Sequence, residues 1–153
     1  MIKSIALFTS IVVIAANGII PIKATYQEPY ERAHMSESDF IFISSVVEAE
    51  SDRSESLDGR ILIAETILNR VNSDLFPDTI PEVLQQSGQF TTVVNGRSIV
   101  ERTDLSDEAV IIAAREVEEG TAPEVLFFNC IGYNYGTPYA YVDGNYFMTY
   151  EEA

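Results

Sequence analysis

The stretch "VVEAESDRSES", Val46–Ser56, places Glu48, Glu50, Asp52 and Glu55 within ten residues. In an acidic chain such a cluster is usually a solvated surface. General acid–base chemistry asks for something different. It needs a carboxyl group partly withdrawn from water, because desolvation disfavours the charged form and raises the pKa. Spacing separates the candidates. Phe40, Ile43, Val47 and Glu50 follow at intervals of 3, 4 and 3, so Glu50 continues the apolar stripe of a helix. Glu48 points about 200° away from Glu50, with Ser44, Ser45 and Asp52 on the polar side. On spacing alone, a frayed and exposed Glu50 at the helix end is the favoured reading. Glu65 is a second candidate, set among apolar neighbours in "ILIAETIL". The alternatives for it are an exposed helix edge or an ion pair with an arginine.

Other reactive side chains are few. One cysteine forms no intrachain disulfide, and one histidine without a cysteine cluster builds no usual zinc site, so neither metal nor organic cofactor is implied. Cys130, in the apolar run "VLFFNCIG", is expected to be buried. His34 lies in "TYQEPYERAHM", which reads as a polar linker over residues 25–35, and is expected to be solvated.

The positioning elements follow from periodicity. Ser36 is an N-cap, with Asp39 three residues on, for a helix carrying Phe40 to Glu50. "LDGRILIAETILNRV", Leu57–Val71, is apolar around most of its circumference and reads as a central, buried helix. A short helix is expected near Ile80–Gln86, with Pro81 in its first turn. Asn95-Gly96 between β-rich runs signals a hairpin. "LSDEAVIIAAREVEEG" predicts a third long helix, capped by Ser106 and stopped by Gly120. The aromatic segment from Glu124 to Met148 predicts short strands turning at Gly132, Gly136, Pro138 and Gly144. The sum is a helix-dominated α+β fold in one domain, residues 36–153, with a small β portion.

Composition bounds the partners. The net charge of −15 disfavours nucleic acid, which is bound through basic patches. The N-terminal "MIKSIALFTSIVVIAANGIIPIKAT" has an early lysine, an apolar core and a small-residue exit. This is the form of a secretory signal over residues 1–24, with an uncleaved anchor as the alternative. Its apolar core is shorter than the roughly 20 residues of a spanning helix, so no stable membrane span is expected once it is cleaved. Removing it removes both lysines and no acid, which leaves arginine as the only strong base. A secreted or envelope-associated monomer is expected, one that repels polyanions.

An ordered set of motifs resembles the SleB-like spore cortex-lytic enzymes, a family of cell wall hydrolases. The set comprises the "EAE" of Glu48–Glu50, Gly59 ahead of an apolar helix ending in "LNRV", "FPDTIPEV" at Phe76–Val83, and "GQF" with Thr91. "LFFN", "YGTP" and "GNYF" then follow in order. The resemblance covers about residues 40–149. It implies a fold similar to lysozymes and lytic transglycosylases, with Glu50 as catalytic glutamate. The implied substrate is the peptidoglycan glycan strand, cut between N-acetylmuramic acid and N-acetylglucosamine. Gln89, Phe90 and Thr91 then resemble the cleft wall, and Asn129, Tyr133 and Tyr135 are suited to its opposite side. Asn69 and Arg70 are expected to fix the helix end. Two departures stand out. "SDRSES" replaces a small-residue turn, and Asn145 stands where members often carry histidine.

With no second acid on the apolar stripe, lytic transglycosylation by one glutamate is favoured over hydrolysis by a carboxylate pair. The rival class is a non-catalytic exported wall-binding protein that retains the cleft.

Overall fold

The computed structural model describes residues 12–15, 18–21, 26–51, 56–90, 92–94, 97–98 and 100–150. Strands β1 (Val12–Ala15) and β2 (Gly18–Pro21) form an antiparallel pair within the segment read as an export signal, whose other residues lie outside the described ones. Among the described residues no helix is long and apolar enough to cross a membrane.

Inside the segment read as a linker, Pro29–Arg32 forms one turn of helix, α1. Pro29 opens it, and the Glu28 N–H donates to the Glu31 carboxylate at 2.8 Å. Such a reciprocal cap satisfies amides that a short helix otherwise leaves open. His34 follows, exposed and with φ 52°, its Nδ1 2.9 Å from Glu118.

Helix α2 spans Glu37–Glu50, and Ser36 caps it by accepting the Asp39 N–H at 3.1 Å, as the sequence predicts. Helix α3 spans Leu57–Val71 behind the cap of Ser56 and is buried along most of its length. Helix α4 is Ile80–Leu84, two residues shorter at its end than predicted. Helix α5 is Asp104–Glu119. Its cap is Thr103, three residues before the predicted Ser106. The Thr103 hydroxyl accepts the Ser106 N–H, while the Ser106 hydroxyl accepts the Thr103 N–H. Ser106 is therefore the inner half of a capping box, a role a serine at that spacing fills as well as an outer cap.

Strands β3 (Val93–Val94) and β4 (Arg97–Ser98) pair antiparallel on either side of the predicted turn, which itself lies outside the described residues. Strands β5 (Val125–Asn129), β6 (Thr137–Val142) and β7 (Asn145–Thr149) form an antiparallel sheet in the order β5-β7-β6. Cys130 is exposed rather than buried. It stands one residue past the end of β5, where the Asn129 side chain accepts the N–H groups of Ile131 and Gly132 and turns the chain outward.

The core gathers residues from helices and sheet: Phe40, Ile43 and Val47 from α2, Ile63 and Ile67 from α3, Val83 and Leu84 from α4, Val110 from α5, Val125 from β5 and Phe147 from β7. Truncating one of these to alanine costs about 2–5 kcal/mol. The core thereby fixes the end of α2, where the candidate acid sits.

Candidate active site

Glu50 is the last residue of α2 and is half-buried. It is neither frayed nor fully solvated. The Thr92 hydroxyl donates to its Oε1 at 2.8 Å. Burial raises the Glu50 pKa above the ordinary carboxylate value, and the Thr92 hydrogen bond opposes part of that rise. The result is a carboxyl group held in place and biased toward keeping its proton, as a general acid requires.

Glu48 has the opposite environment. Arg60 donates from Nη2 to its Oε1 at 3.0 Å and from Nε to Oε2 at 3.4 Å, and Thr103 donates to Oε2 at 2.6 Å. Burial alone would raise its pKa, but these hydrogen bonds and the Arg60 charge hold it below the usual value. The side of α2 read as polar is therefore not solvated. Ser44 and Ser45 are buried, and Glu48 ties α2 to the first turn of α3 and to the cap of α5.

Gln89 and Thr92 each bond to the end of a helix, Gln89 to that of α3 and Thr92 to that of α2. The Arg70 guanidinium, near the end of α3, donates from Nη1 to the Gln89 side-chain oxygen at 3.0 Å and from Nε to the Leu126 carbonyl at 2.8 Å. Its carbon lies 4.9 Å from the Phe76 ring centroid and 5.6 Å from that of Phe90. Burial lowers the Arg70 pKa to about 10, which leaves it charged at neutral pH. Phe90 is buried against Phe128. Asn69 donates to the Pro123 and Val125 carbonyls, so Asn69 and Arg70 fix the helix end as expected. Gln89 is pinned to Arg70, and Thr92 to Glu50. Thr91 lies outside the described residues.

The third group stands apart. Asn129 commits its carbonyl oxygen to the turn at Ile131 and Gly132. Tyr133 packs edge-on against Tyr146, and Tyr135 stacks on Phe127. Among the described residues no hydrogen bond or ring contact joins these three to Glu50 or Thr92. They are linked through the sheet. The β6–β7 turn has Asp143 at φ 51° and Gly144 at φ 84°, the positive pair that a two-residue hairpin requires. The Asp143 carboxylate fills the space where a Cβ on Gly59 would stand. Gly59 therefore lets the turn lie directly on the first turn of α3, beside the Glu48–Arg60 pair.

Glu65 is buried in α3 rather than at an exposed edge, and among the described residues no ion pair joins it to an arginine. Burial, then the hydrogen bond and charge of Glu116 on α5, push its pKa up to about 8. A carboxyl group buried beside a second one ionises at high cost, so Glu65 keeps its proton. Neither contact reaches Glu50. A cavity of about 500 Å³ also opens at the end of α3, lined in part by Asn72, Asp74, Glu124 and Tyr150, and Glu50 is not among its walls.

Thr92 was not singled out from the sequence. The only available signal was its place two residues after "GQF", a motif whose next residue, Thr91, drew attention instead.

The sequence profile of the Cell Wall Hydrolase family matches residues 54–140. A spore cortex-lytic enzyme of Oceanobacillus iheyensis is 38% identical over 78 residues, which is 51% of this chain and 28% of that protein. One of Bacillus subtilis is 35% identical over 78 residues, 51% of this chain and 25% of that protein. One of Bacillus cereus is 33% identical over 94 residues, 61% of this chain and 36% of that protein. The aligned part thus spans between a quarter and about a third of these relatives' own lengths. The crystal structure of the catalytic domain of the Bacillus cereus SleB protein superposes with a TM-score of 0.62 at 24% identity, covering 74% of this chain and 91% of that one. The helix-dominated, lysozyme-like α+β fold implied by the sequence is borne out by that superposition.

Proposed function

Because the chain belongs to the Cell Wall Hydrolase family, we propose that it degrades peptidoglycan by cleaving the bond between N-acetylmuramic acid and N-acetylglucosamine, with Glu50 as general acid and then general base. The observation that carries the reading is Glu50 itself. It is a half-buried carboxyl group with a raised pKa, oriented by one hydroxyl. The family match begins after Glu50, so this assignment stands on the geometry and on the motif resemblance together.

The chemistry proposed is lytic transglycosylation. Glu50 gives its proton to the glycosidic oxygen as the bond to the muramic C1 breaks. The carboxylate so formed then takes the proton of the muramic C6 hydroxyl, whose oxygen closes on C1 to form a 1,6-anhydro ring. The N-acetyl carbonyl of the substrate is placed to stabilise the cationic centre between the two steps. One carboxyl group serves both steps, which suits a site where Glu48 is held ionised by Arg60.

Thr91 and Tyr135 are proposed as sugar contacts together with Tyr133, while Gln89, Phe90 and Asn129 hold the walls that carry them. The reading assigns residues 1–24 to export, residues 25–35 to a connecting segment and residues 36–153 to the catalytic domain, acting as a monomer outside the cell or in its envelope.

The test is digestion of purified peptidoglycan by the wild-type protein and by Glu50→Gln, with products identified by mass spectrometry. Anhydro-muramic ends from the wild type and none from the variant are expected. Reducing ends would replace transglycosylation by hydrolysis. Binding to sacculi with no products from the wild type would favour the wall-binding alternative, whose motivation is Asn145 in place of histidine.

A further inference from the structure

The segment Val125–Tyr150 has an unusual composition. It holds six of the chain's eight tyrosines, and Asp143 is its only charged residue. Its core-facing residues are accounted for. Phe147 is buried, and Phe128 stacks on it at 5.7 Å. Alternation along a strand sends Tyr146 to the other face of the sheet. There it pairs in register with Tyr141 on β6, with ring centroids 4.6 Å apart. On its other side Tyr133 meets it edge-on at 4.9 Å. The three rings form one contiguous row. Tyr146 is half-buried in the middle, while Tyr133 is 41% exposed and Tyr141 is 60% exposed. Core packing does not account for two such rings at the surface of a continuous aromatic row, since a contiguous exposed aromatic surface marks a contact site.

We propose that Tyr133, Tyr146 and Tyr141 form a stacking platform for the sugar rings of a neutral glycan strand, extending the Glu50 site along the outer face of the sheet. The proposal rests on the function proposed above and adds the residues that grip the strand beyond the reacting bond. Three observations select this occupant. No lysine or arginine lies in the segment, so the segment itself offers a polyanion or lipid headgroup no counter-charge, and Arg70, which packs on its Phe127, is buried. Tyrosine joins an apolar ring to a hydroxyl, which suits a ligand with apolar ring faces and polar rims. The row is also at the correct end of the sheet. Tyr141 and Tyr146 are one register step from the Val142–Asn145 pair that flanks the Asp143–Gly144 turn. That turn rests on Gly59 in the first turn of α3, which Arg60 ties to Glu48, two residues before Glu50.

The experiment measures binding rather than cleavage. Full-length Glu50→Gln is sedimented with purified sacculi stripped of their anionic polymers, alone and combined with Tyr141→Ala, Tyr133→Ala or Tyr141→Phe. Circular dichroism confirms that each variant is folded. Each alanine variant is expected to bind about five-fold or more weakly, and Tyr141→Phe to stay within about two-fold of the parent. The chain has no tryptophan, so tyrosine emission reports occupancy by soluble N-acetylglucosamine oligomers, and the response is expected to shrink in Tyr141→Ala. Unchanged binding in both alanine variants overturns the platform. So does a wild-type dimer that Tyr141→Ala converts to monomer, because the row is then a contact between two copies. Weakened binding in the alanine variants supports the platform even where Glu50→Gln retains cleavage, so a failed acid assignment is read separately from a failed platform.

Discussion

The hydroxyl of Thr92 donates to Oε1 of Glu50 at 2.8 Å, joining residues 42 positions apart in the chain. It is the hydrogen bond that acts against burial in setting the acidity of Glu50. Replacing Thr92 by valine keeps the branched shape and removes the donor. The Glu50 pKa then rises further, because the lost bond favoured the carboxylate. A general acid works while protonated, so the alkaline limb of the pH–rate profile is expected to move to higher pH. The maximal rate is expected to fall roughly ten-fold, since the carboxyl group loses its orientation. Thr92→Ser is expected to restore both. Peptidoglycan digestion followed across pH checks the pair of variants.

The two glutamates of "EAE" are expected to separate stability from activity. Glu50→Gln removes a desolvated carboxyl group while keeping an acceptor for Thr92, so its thermal stability is expected to equal or exceed that of the parent, with product formation abolished. Glu48→Gln removes the carboxylate that pairs with the buried Arg60 guanidinium. Breaking a buried pair on one side costs about 3–5 kcal/mol, and the melting temperature is expected to fall accordingly. Urea unfolding and product analysis on the same two variants check this. Equal losses of stability would contradict the division of roles.

Much of this division was legible in the residues. The 3-4-3 spacing put Glu50 on the apolar stripe, at the end of one predicted helix and ahead of the next. Its hydrogen-bond partner was not legible, because nothing local ties Thr92 to the end of α2. Glu65 shows the same limit from the other side. A carboxylate among apolar neighbours suggests an exposed edge or an arginine, and only the packing of α3 on α5 reveals Glu116 as its partner. Thr103 and Ser106 are both good capping residues, and the choice between them depended on the chain preceding the helix. Cys130 lay in an apolar run, yet the turn made by Asn129 carries it outward. Periodicity thus located the elements and carried Glu50 onto the apolar stripe, the family resemblance selected it as the candidate acid, and the contacts that tune its acidity are tertiary.

The Glu65–Glu116 pair predicts a pH dependence of stability. Glu65 titrates near 8 in the folded protein, against an ordinary value of 4.5. Between those values the folded state holds a proton that the unfolded state has released. Stability is therefore full below about 4.5 and is lost as pH rises through 8. Each unit of displacement is worth about 1.4 kcal/mol, so the loss amounts to several kcal/mol. Glu65→Gln places a permanent donor beside Glu116 and is expected to flatten the profile and to raise the melting temperature at pH 8. Calorimetry at pH 5, 6.5 and 8 on both proteins checks the slope.

The contact between Gly59 and Asp143 yields a prediction in which two effects oppose each other. Alanine at Gly59 would favour α3 by up to about 1 kcal/mol from helix propensity. Its Cβ, however, would occupy the space of the Asp143 carboxylate, on a turn whose backbone is set by two positive φ angles. Gly59→Ala alone is therefore expected to be near neutral or destabilising, with the β6–β7 turn pushed off the helix. Glycine at position 143 tolerates the positive φ and removes the obstructing side chain. The double variant Gly59→Ala/Asp143→Gly is expected to melt above the single Gly59→Ala variant, by a margin exceeding any effect of Asp143→Gly in the wild-type background. Thermal denaturation of the four proteins forms a double-mutant cycle. Additivity would show that the carboxylate does not bear on the helix, and a coupling term would fix the turn, and the tyrosines behind it, to the helix that follows Glu50.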